Sequence, residues 1–290
     1  MLNNNYCEIM TELKFDGYAA TWCPGCGDWG IRVGIKAALE QLAFDPSQVF
    51  LSFDIGCSGN MNDFLNGYAT HGLHGRAIPT AIGMKIANHK MTTIVIGGDG
   101  GIYGEGGNHF LHACRGNHDI TVIVHDNMVY GLTTGQVAPT AGKGYRSKST
   151  PHGIIEVPVN PLALALTQGA TFVSQSFAGD ARTTIDVIKK AVNHKGFSLV
   201  NILQPCVTFN KINTYQYYLK NTYHLEDSHD PSNLGKAVEK SLEVNAGKFP
   251  IGVLYQTERP SFHEELEQLD SPLVDRPRFS DFSSFTNEFI

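Results

Sequence analysis

Two runs of β-branched residues, Thr92 to Ile96 and Ile120 to Val124, stand either side of a helix-length stretch from about Glu105 to Asn117. Runs this apolar, without the alternation of a half-exposed sheet, mark strands buried on both faces. Two such strands joined through a helix run parallel, because only a long crossover returns the chain to the same end of a sheet. The expected architecture is therefore α/β, a doubly wound and mainly parallel sheet. The same constraint carries the sequels of both strands to one edge. Gly98-Asp99-Gly100 follows the first strand and Asp126-Asn127-Met128-Val129 the second. Open α/β sheets bind ligands in the crevice at that edge. A carboxylate and an amide oxygen meeting there beside glycines suit a hard divalent cation holding a diphosphate. Backbone N–H groups opening the next helix add to the anion site. A Gly-rich turn or an Asx turn would explain either stretch alone; their spacing across one crossover favours the site.

The alternation extends along the chain. Ile31, Ile35, Ala38, Leu39 and Leu42 recur at helical spacing before Asp45-Pro46. Val49 to Ile55 reads as a strand entering the loop Gly56-Cys57-Ser58-Gly59-Asn60, and Ala77 to His89 as a helix. After a long loop from Thr133 to His152 come a helix capped by Asn160-Pro161 and a strand from Thr171 to Phe177. A helix from Asp180 to His194 and a strand from Ser198 to Gln204 follow. From Asn210 the pattern decays, leaving a helix from Pro231 to Glu243 and a strand from Ile251 to Tyr255. The expected organisation is an arm over residues 1–20, an α/β domain over 21–209, and a C-terminal extension over 210–290. That extension is expected to pack on the same domain or on a partner subunit, with the acidic tail after Glu258 lying on a neighbouring surface.

A net charge of -6 over 290 residues argues against a nucleic-acid partner. No stretch reaches the ~20 apolar residues of a membrane span. Met1 to Glu12 lacks the basic start and apolar core of a secretory signal. A cytoplasmic location is expected, with the six cysteines reduced rather than paired.

Four of those cysteines fall at places that matter. Cys23-Pro24-Gly25-Cys26 precedes a helix, Cys57 sits in a strand-end loop, and Cys206 follows a strand after Pro205. A C-x-x-C at a helix start aims two sulfurs at one centre. Three or four such sulfurs hold zinc or an iron–sulfur cluster; a thioredoxin-like redox pair or an unused turn is the plainer alternative. Cys57 and Cys206 share the sheet edge of Asp99 and Asn127, whereas Cys7 and Cys114 stand outside the set, Cys114 being expected simply to pack. A diphosphate–metal site beside thiolates suggests an organic cofactor coupled to one-electron transfer, which iron–sulfur performs and zinc does not.

With these motifs in hand the chain resembles the beta subunits of the 2-oxoacid:ferredoxin oxidoreductases, which are thiamine diphosphate enzymes. The resemblance runs from about Thr21 to Cys206. It rests on Trp22-Cys23-Pro24-Gly25-Cys26-Gly27, Gly56-Cys57-Ser58-Gly59, His74-Gly75-Arg76-Ala77, Gly98-Asp99-Gly100 and Gly106-Gly107-Asn108-His109. Asn127-Met128-Val129-Tyr130-Gly131-Leu132-Thr133, Gly135-Gln136 and Pro205-Cys206 complete it. It implies a thiamine diphosphate-binding fold of the diphosphate-binding type. It also implies coenzyme A-dependent oxidative decarboxylation of a 2-oxoacid such as pyruvate or 2-oxoglutarate, with electrons passed to ferredoxin or flavodoxin. By the same resemblance Cys23, Cys26, Cys57 and Cys206 hold a [4Fe–4S] cluster, and Asp99, Asn127 and the Val129 carbonyl bind Mg²⁺. Ile55, Gly56, Cys57, Ser58, His74, Gly98, Asp99, Gly100, Gly101, Asn127, Val129, Gly131, Leu132 and Thr133 fall in the cofactor site. His74 is the catalytic candidate, as donor to a developing alkoxide or to the substrate carboxylate; an imidazole merely satisfied in a Gly-rich turn is the alternative.

Two positions depart from the family. Gly101 stands where a second aspartate often follows Gly-Asp-Gly, which predicts a lower local charge. Asn60 stands about where many members carry a base, which weakens the case for a second substrate carboxylate. Arg76 is expected either on the diphosphate or carboxylate, or paired with Asp63 at a helix start. His71, His109 and His112 are expected to be structural. The loop from Thr133 to His152, with Lys143, Arg146 and Lys148, reads as solvated or as a cover meeting coenzyme A phosphates. The glutamate needed against the aminopyrimidine belongs to a separate module, for which this chain has no room. An alpha subunit is therefore expected, in a heterotetramer of two alpha and two beta chains. The rival readings are a non-oxidative thiamine diphosphate decarboxylase or synthase subunit, and a non-catalytic zinc-stabilised nucleotide-binding subunit.

Overall fold

The computed structural model describes residues 14–277 and 283–288. Most of the expected N-terminal arm, including Cys7, lies outside the described residues. The end of the arm is clipped down: Phe15 is fully buried, Asp16 pairs with Arg32 at 2.6 Å and with Lys36, and Gly17 N–H donates to Phe64 O at 3.2 Å.

An eight-stranded sheet runs through the molecule. In chain order its strands are β1 (Val49–Phe53), β2 (Tyr68–His71), β3 (Thr92–Gly98), β4 (Thr121–Asp126), β7 (Phe172–Phe177), β8 (Ser198–Leu203), β9 (Thr222–His224) and β10 (Phe249–Gln256). A two-stranded ribbon, β5 (Val129–Tyr130) with β6 (Gln136–Val137), is separate. The spatial order is β2-β1-β3-β4-β8-β7-β10-β9. The pairs from β2 through β7 are parallel; β10 joins β7 antiparallel, with an irregular register at Val253/Tyr255.

The helices are α1 (Asp28–Gln41), α2 (Ala77–Ala87), α3 (Gly107–Gly116), α4 (Pro161–Thr167), α5 (Ala181–Asn193), α6 (Tyr215–Asn221) and α7 (Leu234–Leu242). Side-chain alternation along the strands splits the core into two layers. Leu51, Phe53, Ile94, Ile96, Ile123, Val200 and Ile202 face Ile31, Ile35 and Leu39 of α1 and Val187 and Ile188 of α5. Val95, Val122, Val124, Leu199 and Val173 face Ala77, Ile78 and Ala81 of α2, Phe110 and Ala113 of α3, and Leu162 and Ala165 of α4. Each fully buried aliphatic side chain is worth ~1.5–3 kcal/mol, so helices on both faces are what such strands require. The doubly wound α/β sheet follows from those residues. Caps set the helix starts: Asn160 accepts from Ala163 N–H at 3.1 Å, and Asp180 from Thr183 N–H at 3.0 Å.

Two features differ from the sequence-based expectation. The helix expected from Glu105 begins at Gly107, because Gly100–Glu105 forms a wide π-type turn that its glycines permit. The edge strand β2 is short and mostly exposed, so no hydrophobic run announces it. The helix and strand expected after residue 210 are α7 and β10; with β9 these residues extend the sheet and place Ala237 and Leu254 in the second core layer. The tail crosses back over α3, where Asn117 Nδ2 donates to Arg259 O and Pro260 O at 3.0 Å each. Among the described residues no helix is long and apolar enough to cross a membrane.

Candidate active site

The chain reverses its direction of travel at β1, placing β2 on one side and β3 on the other. The loops leaving β1 and β3 therefore diverge, which opens a crevice at their carboxyl ends. A cleft lies there. Ile55, Gly56, Cys57 and Ser58 reach it from β1, and His74 from the turn before α2. Gly98, Asp99, Gly100 and Gly101 come from β3, and Asn127, Val129, Gly131, Leu132 and Thr133 from β4. Every cofactor-site position expected from the sequence thus lines one cleft. Tyr130 joins them, its hydroxyl bonded to the Glu105 carboxylate at 3.1 and 3.2 Å.

The floor is polar and pre-arranged. Asp99 accepts from Met128 N–H at 2.9 Å and from the Thr140 hydroxyl, and Asn127 Oδ1 accepts from Val129 N–H at 3.0 Å. Met128 sits at φ 64°, a left-handed conformation that costs a non-glycine residue ~1–2 kcal/mol and here folds the loop back over Asp99. Burial, and next the Asp126 carboxylate behind it, push the Asp99 carboxyl well above the usual range; Thr140 and the backbone N–H groups of Gly100 and Met128 oppose that push. A divalent cation bound beside Asp99 would reverse the balance. The buried hydroxyl of Ser58 has no hydrogen-bond partner. It lies 3.8 Å from where a Cβ on Gly56 would stand and 3.6 Å from one on Gly98. A buried donor left open between two glycines fits an anionic oxygen, so the residues present suit a magnesium-bound diphosphate.

His74 is held from behind. Its Nδ1 lies 2.9 Å from Asp54 Oδ2, and Asp54 Oδ1 accepts from Gly75 N–H at 2.6 Å. Burial pushes the Asp54 carboxyl up, against the pull of His74 and Gly75. A Cβ on Gly101 would stand 1.7 Å from Asp54 Oδ2. The Asp54 carboxylate thus fills the space that a side chain at 101 would take. Arg76 does not pair with Asp63; it donates to the carbonyls of Gly75 and Glu105, both at 3.3 Å, and so ties the His74 turn to the π-type turn.

The sulfurs gather behind the cleft. Cys57 Sγ and Cys206 Sγ lie 3.4 and 3.8 Å from the point a Cβ on Gly131 would occupy. Gly27 N–H donates to Pro205 O at 3.1 Å, which binds the Cys23–Cys26 turn to the Cys206 loop. Trp22 Nε1 donates to Cys57 O at 2.7 Å, and Trp29 Nε1 to Cys23 O at 3.2 Å. Cys26 and Cys206 are buried and Cys23 is exposed. Burial, then the Asp28 carboxylate, then the Cys206 and Cys23 sulfurs push the Cys57 thiol up to about 12; burial, followed by Asp28, pushes Cys26 up as well. A bound metal would supply the positive charge that turns such thiols into thiolates. Among the described residues no three His, Cys, Asp or Glu side chains crowd closely enough to hold a single metal ion. Cys114 is packed in α3, as expected.

Residues 54–202 match the family model of the thiamine pyrophosphate enzyme C-terminal TPP binding domain. Residues 206–271 match the model of the C-terminal part of the pyruvate ferredoxin oxidoreductase beta subunit. The 2-oxoacid:ferredoxin oxidoreductase subunit beta of Saccharolobus solfataricus is 43% identical over 278 residues, covering 91% of each chain. The chain belongs to the beta subunits of the 2-oxoacid:ferredoxin oxidoreductases. It is an oxidoreductase subunit with a thiamine diphosphate-binding domain. The 2-oxoglutarate synthase subunit KorB of Methanocaldococcus jannaschii is 33% identical, over 89% of this beta subunit and 95% of that one. A solved 2-oxoglutarate:ferredoxin oxidoreductase from Magnetococcus marinus, with 2-oxoglutarate, coenzyme A and succinyl-CoA bound, superposes with TM-score 0.88. It is 37% identical, and the match covers 96% of this beta subunit and 95% of that chain.

Several residues of the beta subunit's site escaped the sequence reading. Asp54 ends β1 as Asp99 ends β3, so an acid at a strand's carboxyl end was the available signal. Thr140 arrives from the long loop, which is no loose cover: Ala138 and Ala141 are fully buried, and the Tyr145 hydroxyl donates to Phe209 O at 3.1 Å. Asp28 and His125 form a buried pair, His125 Nδ1 to Asp28 Oδ1 at 2.6 Å, beneath Cys26, whose sulfur lies 3.2 Å from Asp28 Oδ2. Nothing in their spacing marks them.

Proposed function

We propose that this beta subunit, joined to an alpha subunit that bears the pyrimidine-binding module, oxidatively decarboxylates a 2-oxoacid to its acyl-coenzyme A and CO₂. Electrons leave through a [4Fe–4S] cluster to an external ferredoxin or flavodoxin. The observation that carries this reading is the position of Gly131. It lines the cofactor cleft, and the space its missing side chain leaves is touched by the sulfurs of Cys57 and Cys206.

Asp99, Asn127 and the Val129 carbonyl would hold Mg²⁺, and Cys23, Cys26, Cys57 and Cys206 the cluster. When bound, thiamine diphosphate supplies the carbon nucleophile and the electron sink. The chain's own residues bind, orient and exclude. Ser58 donates to the diphosphate, while Gly56 and Gly98 let it approach the backbone and Gly100 makes room for the Tyr130 ring. Asp54 keeps the proton of His74 on Nδ1, which leaves Nε2 to accept or return a proton at the substrate end of the cleft. Leu132 and Thr133 form the rim against which the alpha subunit seals the cleft. The substrate class is a 2-oxoacid; the 2-oxoglutarate, coenzyme A and succinyl-CoA bound in the Magnetococcus relative support it. Asn60 brings no positive charge, so a second substrate carboxylate takes its cation from the alpha subunit. The assembly is two alpha and two beta chains, and the five described cysteines, all free, fit a reducing cytoplasm.

The test is the purified alpha–beta complex assayed with pyruvate, 2-oxoglutarate and branched-chain oxoacids. Expected are bound iron, a brown colour, and coenzyme A-dependent reduction of a viologen dye that requires thiamine diphosphate and Mg²⁺. A colourless complex that releases aldehyde without reducing dye would overturn the reading in favour of a non-oxidative decarboxylase.

A further inference from the structure

One buried side chain stands between the two sets of ligands. Gln204, directly after β8, is 1% exposed, and its backbone N–H donates to Asp126 O at 2.9 Å. Its amide is used at both ends. Oε1 accepts from Asn127 Nδ2 at 2.8 Å, and Nε2 donates to Cys26 Sγ at 3.2 Å. The orientation of both amides is fixed from outside. Val129 N–H donates to Asn127 Oδ1 at 3.0 Å, which identifies that atom as the oxygen and turns Nδ2 toward Gln204. Gln204 must answer with its own oxygen, leaving N–H for the sulfur. Gly27 makes the room, since a Cβ there would stand 2.6 Å from Gln204 Cγ.

We propose that Gln204 is a positioning residue that couples the two cofactor sites: it turns the Asn127 oxygen toward the cation and hydrogen-bonds the cluster sulfur of Cys26. The inference rests on the ligand assignments of the proposed function. Partners that orient metal ligands typically account for 10–100-fold in metal affinity. Hydrogen bonds to cluster sulfurs stabilise the more negative, reduced state and so raise the reduction potential. A residue that only filled space beneath Gly27 would do neither.

The experiment uses the alpha–beta complex with Gln204→Met, an apolar side chain of similar length. Thiamine diphosphate affinity in Mg²⁺ is measured by calorimetry, and the cluster midpoint by an electron paramagnetic resonance redox titration. Expected are a ~10-fold weaker cofactor affinity and a ~10-fold less favourable reduction, which lowers the midpoint by about 59 mV for one electron. Gln204→Leu covers the case in which the Met variant does not assemble. Apolar and slightly shorter, it too offers Asn127 no acceptor and Cys26 no donor, so its midpoint and its cofactor affinity should fall as in the Met variant. An unshifted midpoint in both variants, or unchanged cofactor affinity in the Met variant, would overturn the coupling. A wild-type complex with no cluster signal would instead sink the ligand assignment beneath it.

Discussion

Gly101→Ala tests how tightly the catalytic candidate is held. The backbone at 101 tolerates alanine, so the whole effect is steric. The new Cβ would stand 1.7 Å from Asp54 Oδ2 and 3.1 Å from His74 Cε1. To reach ordinary contact the carboxylate must retreat by about 1.5–2 Å. Asp54 is fully buried and bonded to Gly75 N–H and His74 Nδ1, so no open space receives it. Overpacking costs about 1–3 kcal/mol, and a strained or broken bond to a charged group about 1.5–3 kcal/mol. The combined cost is about 3–5 kcal/mol, or a fall of roughly 6–20 °C in melting midpoint at ~2–4 °C per kcal/mol. Asp54→Ala removes the obstruction at its source and costs about 2–4 kcal/mol through the donors it strands. The pair Asp54→Ala/Gly101→Ala should therefore melt close to Asp54→Ala alone, a rescue of about 3 kcal/mol relative to additivity. Thermal melts of the three variant complexes, with kcat/KM for the 2-oxoacid as a second readout, measure the cycle. Melting losses that add to within about 0.5 kcal/mol would refute the claim that the Asp54 carboxylate occupies the side-chain space of residue 101.

Cys23→Ser should bleach the brown visible absorption and abolish dye reduction while leaving much of the cofactor affinity; retained colour and dye reduction would remove Cys23 from the cluster. Asn127→Ala deletes the Val129 N–H acceptor and, on the proposed assignment, a metal donor, and should weaken Mg²⁺-dependent thiamine diphosphate binding by about 10–100-fold by calorimetry. The tail strap should loosen in acid. Burial, then His263, lowers the His118 pKa to about 4, and its ring packs on Phe262 with centroids 4.3 Å apart. A histidine whose folded pKa is depressed is neutral in both states above ~6.5, so its contribution is fully present there and is lost as pH falls from ~6.5 toward 4. Limited proteolysis after residue 258 should accelerate over that window, and His118→Phe should flatten the pH response.

The sheet was legible because its inner strands are continuous apolar runs whose two faces both find helices, and because Asn160 and Asp180 announce the helices that follow them. What escaped depended on partners distant in sequence. The strand β2 is too short and polar to declare itself, and β10 shows its antiparallel direction only through its pairing with β7. At the site, the residues expected from the motifs line one cleft, since parallel strands deliver their sequels to one edge. Asp54 offered only its place at a strand's carboxyl end, because its meaning lies in the absence of a side chain forty-seven positions later. Thr140 and Gln204 were invisible because only folding brings the long loop and the end of β8 beneath Asp99 and Asn127.

On the proposed assignment, the cage for iron is assembled from a turn before α1, the end of β1 and the end of β8. Cys26 and the Gln204 that touches it are 178 residues apart in sequence. Of those four ligands, a nascent chain emerging from the ribosome could offer only the Cys23–Cys26 pair and Cys57 until Cys206 had been synthesised. Loading of the cluster is then a late event that staples the amino-terminal turn to a sheet already formed. Stripping the iron should release that turn first, well before the strands beneath it give way.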